Sequence, residues 1–150
     1  ETGEFVANMA TYDLRHEIDK SSHFVDPDVD EFEYAGLTKE ASQMVKPPRV
    51  AESPVHLECR FVQSVVLPGH TVANIVHMVI GEVIGVHIRD EFVGEDGKLD
   101  MLKIRPLARM GYFDYTSVES IFEMAPGEDG REAQRRKGLG GEAVGKQAAE

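Results

Sequence analysis

Residues 74–115, NIVHMVIGEVIGVHIRDEFVGEDGKLDMLKIRPLARMGYFDY, decide the fold of this chain. Their first part, residues 74–89, is an apolar pattern of period two, which is typical of a β-strand. A straight strand of this length would measure about 50 Å at about 3.3 Å per residue, which is longer than a small domain allows. The strand must therefore bend, and Gly81 and Gly85 are the positions at which a β-bulge or a barrel corner is expected.

The two glycines also define a face of this strand. Strict alternation places Gly81, Gly85 and His87 together on one side, among apolar side chains. The missing side chains leave the backbone bare between histidines, so a flat ligand or another chain can approach closely there. The alternative is that the glycines serve curvature alone. The residues themselves leave both interpretations open.

A second alternating segment, residues 55–67, precedes this strand. Its apolar members, including Cys59, occupy one face, while His56 and Glu58 point the other way, which predicts a half-buried strand. Cys59 is interpreted as a small core residue rather than as a catalytic thiol. Because long strands follow each other without intervening helices, a Rossmann fold is disfavoured, and the pattern favours a mainly β fold, a small barrel with one or two peripheral helices.

The composition of the chain limits the functions that it can have. The chain has 150 residues, of which 41% are hydrophobic, enough for one domain with a real core. Its net charge of −11 disfavours binding to nucleic acid and to anionic membrane surfaces. No apolar run approaches the roughly 18 residues of a membrane span. With a single cysteine, nothing indicates an oxidising compartment, so a cytoplasmic location is expected.

The two ends of the chain differ in character. Residues 125–150 contain six glycines, no aromatic residue and balanced charge, so they can bury little apolar surface. We expect one domain over residues 1–124 and a disordered tail over residues 125–150. Within the domain, residues 21–48 are acidic and irregular and are interpreted as a solvated loop pinned by its aromatic side chains.

Several kinds of active site are disfavoured by spacing. The histidines lack the i, i+4 pair of a helical zinc site, and the acidic run that begins at Asp26 lacks the glycine and glutamate of a calcium loop. The sequence has neither the Gly-x-Ser-x-Gly elbow of a hydrolase nor a complete Gly-x-Gly-x-x-Gly fingerprint. No metal site and no catalytic residue is predicted.

Five segments along residues 1–124, in order, carry a family resemblance: ETGEFVAN, DEFEYAGLT, PRVAESPVHLEC, IGEVIGVHIRDEFVGEDGKLD and PLARMGYFDYTSV. Each segment alone is a weak signal. Their order and spacing together resemble the flavin reductase-like family, whose members bind FMN on a split β-barrel. The resemblance implies the C-terminal portion of such a protein.

The resemblance implies a function as well as a fold. It implies a homodimer with FMN near the subunit interface, and an FMN-dependent oxidoreductase that transfers hydride from NADH or NADPH to flavin. A flavin-dependent oxygenase is the candidate recipient of the reduced flavin. Two other functions are open: a non-catalytic flavin-binding or flavin-carrier protein on the same fold, and a flavin-free dimerisation module. The choice of nicotinamide, and whether FMN is a prosthetic group or a substrate, are open too.

Four residues are the candidate flavin-binding residues. His87 and Arg109 match characteristic family positions, which implies that both lie at or near the flavin pocket. Arg109 is expected to neutralise a phosphate or the reduced ring, or else to form a structural ion pair. His87 is expected to donate to the flavin or contact the nicotinamide, or else to be a buried strand histidine with a backbone partner. Tyr112 and Tyr115 supply stacking faces or pack the end of the barrel.

Family members carry an N-terminal portion ahead of the residues that match positions 1–8 of this chain. That portion includes strands and a loop that form much of the flavin site. We therefore expect this chain to be a C-terminal fragment without the N-terminal strands, and to bind flavin weakly or not at all when alone. The residues that bind the flavin phosphate are expected in the absent portion.

Overall fold

The computed structural model describes residues 2–69, 75–122 and 124. The chain divides into two compact units, one that ends at Ile88 and one that begins at Arg89. The predicted tail, residues 125–150, lies outside the described residues, and the single domain predicted over residues 1–124 stays a prediction. None of the helices among the described residues has the length and the apolar composition of a membrane span.

The first unit is built on a three-stranded antiparallel sheet in the order β1 (Glu4–Asn8), β4 (Val55–Leu67) and β5 (Val76–Ile88). Strands β4 and β5 have 13 residues each and form a long two-stranded ribbon. Strand β1 covers one end of the ribbon, where Phe5 lies opposite Cys59. Both predicted long strands are confirmed, and Cys59 is buried as expected.

Two β-bulges bend the ribbon beside the two glycines. Between the pairs Glu58–Gly85 and Cys59–Val83 the register skips one residue of β5, and a second shift follows Phe61–Gly81. The bulges are confirmed at the predicted positions. The extra residue in β5 breaks the strict alternation, so that Gly81 lies on the Cys59 face of the sheet and Gly85 on the Glu58 face. The prediction that both glycines share one face is wrong.

Each glycine is covered by a side chain of the chain itself. A Cβ atom at Gly81 would lie 2.5 Å from Cζ of Phe5, and one at Gly85 would lie 3.0 Å from Sδ of Met44. The bare backbone inferred from the sequence is therefore not open at either glycine. Close packing of Phe5 and Met44 is what requires the absence of a side chain.

Four short elements lie between β1 and β4 in the sequence. They are α1 (Arg15–Ser21), α2 (Glu31–Ala35), β2 (Lys39–Glu40) and β3 (Arg49–Val50), the last two paired antiparallel. Helix α2 lies in the acidic segment interpreted as a loop. It forms there because the Asp30 side chain accepts from the backbone N–H of Phe32 and Gly36 ends the helix at φ 81°.

The second unit contains a 3-10 helix (Asp90–Phe92), α3 (Met101–Ile104), and a hairpin of β6 (Leu107–Gly111) and β7 (Asp114–Ser117). Ile104 is buried in this unit. The hairpin turn places Gly111 at φ 115° and Tyr112 at φ 50°, both in the left-handed region. Among the described residues the sheets do not close on themselves, and the architecture is mainly β with few helices.

Candidate functional site

A buried carboxylate organises one face of the first unit. Glu58 on β4 has no exposed surface, and its oxygens accept from three successive backbone N–H groups, those of Gln43 (2.9 Å), Met44 (2.6 Å) and Val45 (3.1 Å). We call residues 41–48, which carry these N–H groups across the sheet, the strap. Glu58 can be approached in this way because its partner in β5 is Gly85, which has no side chain to exclude the strap.

His87 shares this carboxylate. Its Nε2 atom lies 2.6 Å from Oε1 of Glu58, and its side chain is 18% exposed. Nε2 itself is buried and makes no well-directed hydrogen bond within the described residues, so the contact with Glu58 is the interaction that accounts for it. Regular strand pairing makes this contact possible, because His87 lies opposite His56, two residues from Glu58 on the same face of β4.

The surroundings of Glu58 favour its ionised form. Burial alone would raise the pKa of the carboxyl group, because it removes water from the charge. The backbone N–H groups of Gln43 and Met44, together with His87, lower the pKa by more than burial raises it, so the pKa of Glu58 lies below its ordinary value. At neutral pH the group is therefore a carboxylate that can only accept hydrogen bonds.

His56 lies beside this pair on β4. Its Nε2 is 2.8 Å from the carbonyl oxygen of Val50, and its ring centroid is 6.5 Å from that of His87. Burial lowers the pKa of His56, and the nearby Arg49 guanidinium lowers it further, against an opposing effect of the Val50 carbonyl. Asn8 completes the network, since its Oδ1 accepts from the Val50 N–H at 3.0 Å.

The other three predicted residues lie together on the hairpin of the second unit. Arg109 on β6 is opposite Tyr115 on β7, with the guanidinium carbon 5.9 Å from the centroid of the tyrosine ring. One N–H of Arg109 donates to the Tyr112 carbonyl oxygen at 3.0 Å. Tyr112 and Phe113 at the turn are 90% and 96% exposed. The hairpin thus presents a cation between exposed aromatic faces.

Comparison with known proteins assigns this chain to a family. The family model described as a flavin reductase like domain matches residues 1–110. The chain belongs to the flavin reductase-like family. The match includes His87 and Arg109, whereas Tyr112 and Tyr115 lie just beyond it.

Solved structures of similar fold support the split-barrel architecture of this flavin reductase-like chain. Nitrilotriacetate monooxygenase component B from Bacillus cereus is 24% identical, with a TM-score of 0.74 over 82% of this chain and 60% of that one. A split-barrel protein from Shewanella frigidimarina, assigned as a flavin reductase, is 27% identical, with a TM-score of 0.70 over 83% of this chain and 61% of that one.

Among curated sequences, an uncharacterized protein from Aquifex aeolicus is 33% identical over 111 residues, which are 74% of this chain and 54% of the relative. The chain spans about half the length of the curated relatives it matches.

Sequence reasoning missed the buried carboxylate of this candidate site. Glu58 and His56 were placed on the less buried face of their strand, but both are buried, because the strap and β3 cover that face. The signal that could have found Glu58 is its place opposite a glycine that lies two residues from His87. The structure places His87 in the first unit and brings Arg109, Tyr112 and Tyr115 together in the second.

The part of the chain that the structure describes holds no group of three or more His, Cys, Asp or Glu side chains arranged to bind a metal ion. A shallow cleft of about 390 Å³ in the first unit is lined by residues of β1, α2 and the strap, including Phe5, Phe32 and Pro47. None of the four predicted site residues lines this cleft.

Proposed function

We propose that this chain belongs to an FMN-dependent oxidoreductase, a flavin reductase in which hydride passes from NADH or NADPH to flavin. The observation that carries the proposal is the family match over residues 1–110, which includes His87 and Arg109. In such an enzyme the flavin ring accepts and donates the hydride, while the protein supplies binding, orientation and exclusion of water.

The side chains of the hairpin fit a flavin. The hydrogen bond to the Tyr112 carbonyl takes only one of the five N–H donors of the Arg109 guanidinium, and the others can bind a phosphate or a ring oxygen. Tyr112 and Tyr115 offer aromatic faces that are 90% and 53% exposed, suitable for stacking on a flat ring. In the first unit, His87 keeps part of its side chain accessible to a ligand.

A homodimer is part of the proposal. Many large apolar side chains of the ribbon are exposed, among them Val62, Val66, Val76, Met78, Val79, Val83 and Val86. Monomeric soluble proteins rarely expose so many apolar side chains on one element, and such surfaces are typical of interfaces. Light scattering coupled to gel filtration tests this part directly. A strictly monomeric gene product would refute it.

The recipient of the reduced flavin is proposed to be a flavin-dependent oxygenase in the cytoplasm. The Bacillus cereus protein of similar fold is by its name one component of a monooxygenase, and this name motivates the proposal. The test is reconstitution with an oxygenase component encoded nearby. Stimulation of the oxygenase by this protein with NADH or NADPH supports the proposal, and no stimulation contradicts it.

Anaerobic reduction tests the central function. The gene product that contains this chain, saturated with FMN, is mixed with NADH or with NADPH while the flavin absorption is recorded. Bleaching of the yellow flavin by either nucleotide, faster than for free FMN, is the result expected of a reductase. Tight FMN binding with a persistent spectrum would instead identify a non-catalytic flavin carrier. Absence of FMN binding would refute both functions and leave the flavin-free dimerisation module.

A further inference from the structure

Four nitrogen atoms of the described residues contact the Glu58 carboxylate. Three are the backbone N–H groups of Gln43, Met44 and Val45, and the fourth is Nε2 of His87 at 2.6 Å. A carboxylate has no hydrogen to offer, so an atom that lies this close to it is stabilised only if it carries one. Whether the His87 ring is neutral or cationic, its Nε2 must therefore carry a hydrogen.

We propose that Glu58 is a positioning residue that holds His87 in the tautomer with hydrogen on Nε2 and leaves Nδ1 as the ring nitrogen that meets a ligand. A histidine held in this way presents a hydrogen-bond acceptor to the ligand, because the neutral ring has a lone pair on the nitrogen without hydrogen. The ligand class is thus one that offers an N–H or O–H group, such as a ring imide or a carboxamide.

The strap makes the positioning rigid. Backbone N–H groups cannot rotate away as side chains do, and three of them fix both oxygens of Glu58. The orientation of His87 is therefore set by main-chain geometry through one buried carboxylate, as outer partners orient the histidines of metal sites. The identity of the ligand as flavin or nicotinamide rests on the proposed function. The positioning of His87 by Glu58 is independent of the proposed function.

His56 differs from His87 in its partner and serves as an internal reference. Its Nε2 faces the Val50 carbonyl oxygen at 2.8 Å, which is also a pure acceptor. His56 is therefore expected in the Nε2–H tautomer whatever occupies position 58.

The test is nitrogen-15 NMR of the imidazole rings in the uniformly labelled chain at about pH 8.5, about two units above the ordinary histidine pKa. Long-range proton–nitrogen correlations distinguish the two neutral tautomers, and His87→Asn assigns the His87 signals by their loss. The wild-type protein is expected to show His87 in the Nε2–H form. A wild-type His87 in the Nδ1–H form, or one that exchanges equally between the two forms, overturns the proposal.

Glu58→Gln provides the second arm. The glutamine oxygen is expected to keep the N–H groups of Met44 and of the buried Val45, which directs the amide NH₂ towards His87 and towards the N–H of Gln43, an exposed residue that water can serve instead. An NH₂ group can only donate, so the His87 tautomer is expected to reverse to Nδ1–H while His56 is unchanged. Glu4→Gln is the matched control, since Glu4 also accepts one strap N–H, that of Lys46 at 3.0 Å.

The outcomes are separable. Reversal of His87 in Glu58→Gln but not in Glu4→Gln supports the proposal, and an unchanged His87 in a folded Glu58→Gln protein overturns it. If Glu58→Gln does not fold, the tautomer of His87 in the wild-type spectrum still supports or overturns the proposal. No flavin is present in these samples, so a chain that shows the expected tautomers but binds no FMN would refute the proposed function and leave the role of Glu58 intact.

Discussion

Replacement of Glu58 by alanine removes the acceptor of three strap N–H groups at once. A hydrogen bond from a backbone N–H group to a charged acceptor contributes about 1.5–3 kcal/mol. Gln43 and Met44 are exposed residues, so water replaces part of the loss at their N–H groups, and we assign about 1 kcal/mol to each. Val45 is buried, and its N–H is assigned about 2 kcal/mol.

The sum is a loss of about 4 kcal/mol in the free energy of unfolding, a large part of the roughly 5–15 kcal/mol of a typical domain. Urea unfolding followed by circular dichroism measures it, with Glu4→Ala as the control. Glu4 accepts one exposed N–H, that of Lys46, so its replacement is expected to cost less than about 1 kcal/mol. Equal losses in the two variants would show that the buried carboxylate does not hold the strap.

Three further outcomes are expected. The pKa values of Glu58 and His56 are both lowered in the folded state, so their contributions to stability are complete above the ordinary pKa of each group and are lost as pH falls. Urea midpoints should be level above about pH 7, fall below about pH 6.5, and fall again below about pH 4.3. A midpoint independent of pH would contradict this. Gly81→Ala should lower the free energy of unfolding by about 1–2 kcal/mol, because its Cβ would meet the Phe5 ring. The loss should be smaller in a Phe5→Leu background. Equal losses in both backgrounds would exclude the clash. Gly111→Ala, with φ 115° and no neighbour within 4 Å, should cost about 1–3 kcal/mol through backbone strain alone, and a neutral effect would contradict that strain.

Much of the sheet could be predicted because its signals are local. The period-two pattern of β4 and β5 lies in the order of their own residues, and it indicated both strands within a few residues of their observed bounds. The glycines marked the bulges for the same reason. The faces beyond the bulge were predicted wrongly, because one extra residue inverts the alternation and nothing local shows on which strand it falls.

The centre of the site could not be predicted because it depends on contacts distant in sequence. The alternation of β4 predicts that Glu58 faces solvent, but the strap covers it in the structure. The N–H groups of the strap that bind Glu58 lie 13 to 15 residues earlier, in an acidic segment without periodicity. The family resemblance pointed to His87 and Arg109, but it contained no information on their partners. The pairing of Arg109 with Tyr115 is a matter of hairpin register, which the Gly111–Tyr112 turn sets.

We have proposed that this chain forms part of a flavin site that exchanges hydride with a nicotinamide. The most direct measurement is anaerobic FMN titration of the complete gene product, followed by addition of NADH or NADPH. We expect saturable FMN binding and nucleotide-dependent bleaching, with both weakened by Arg109→Ala. FMN that stays free in solution, or bound FMN that neither nucleotide reduces, would contradict it.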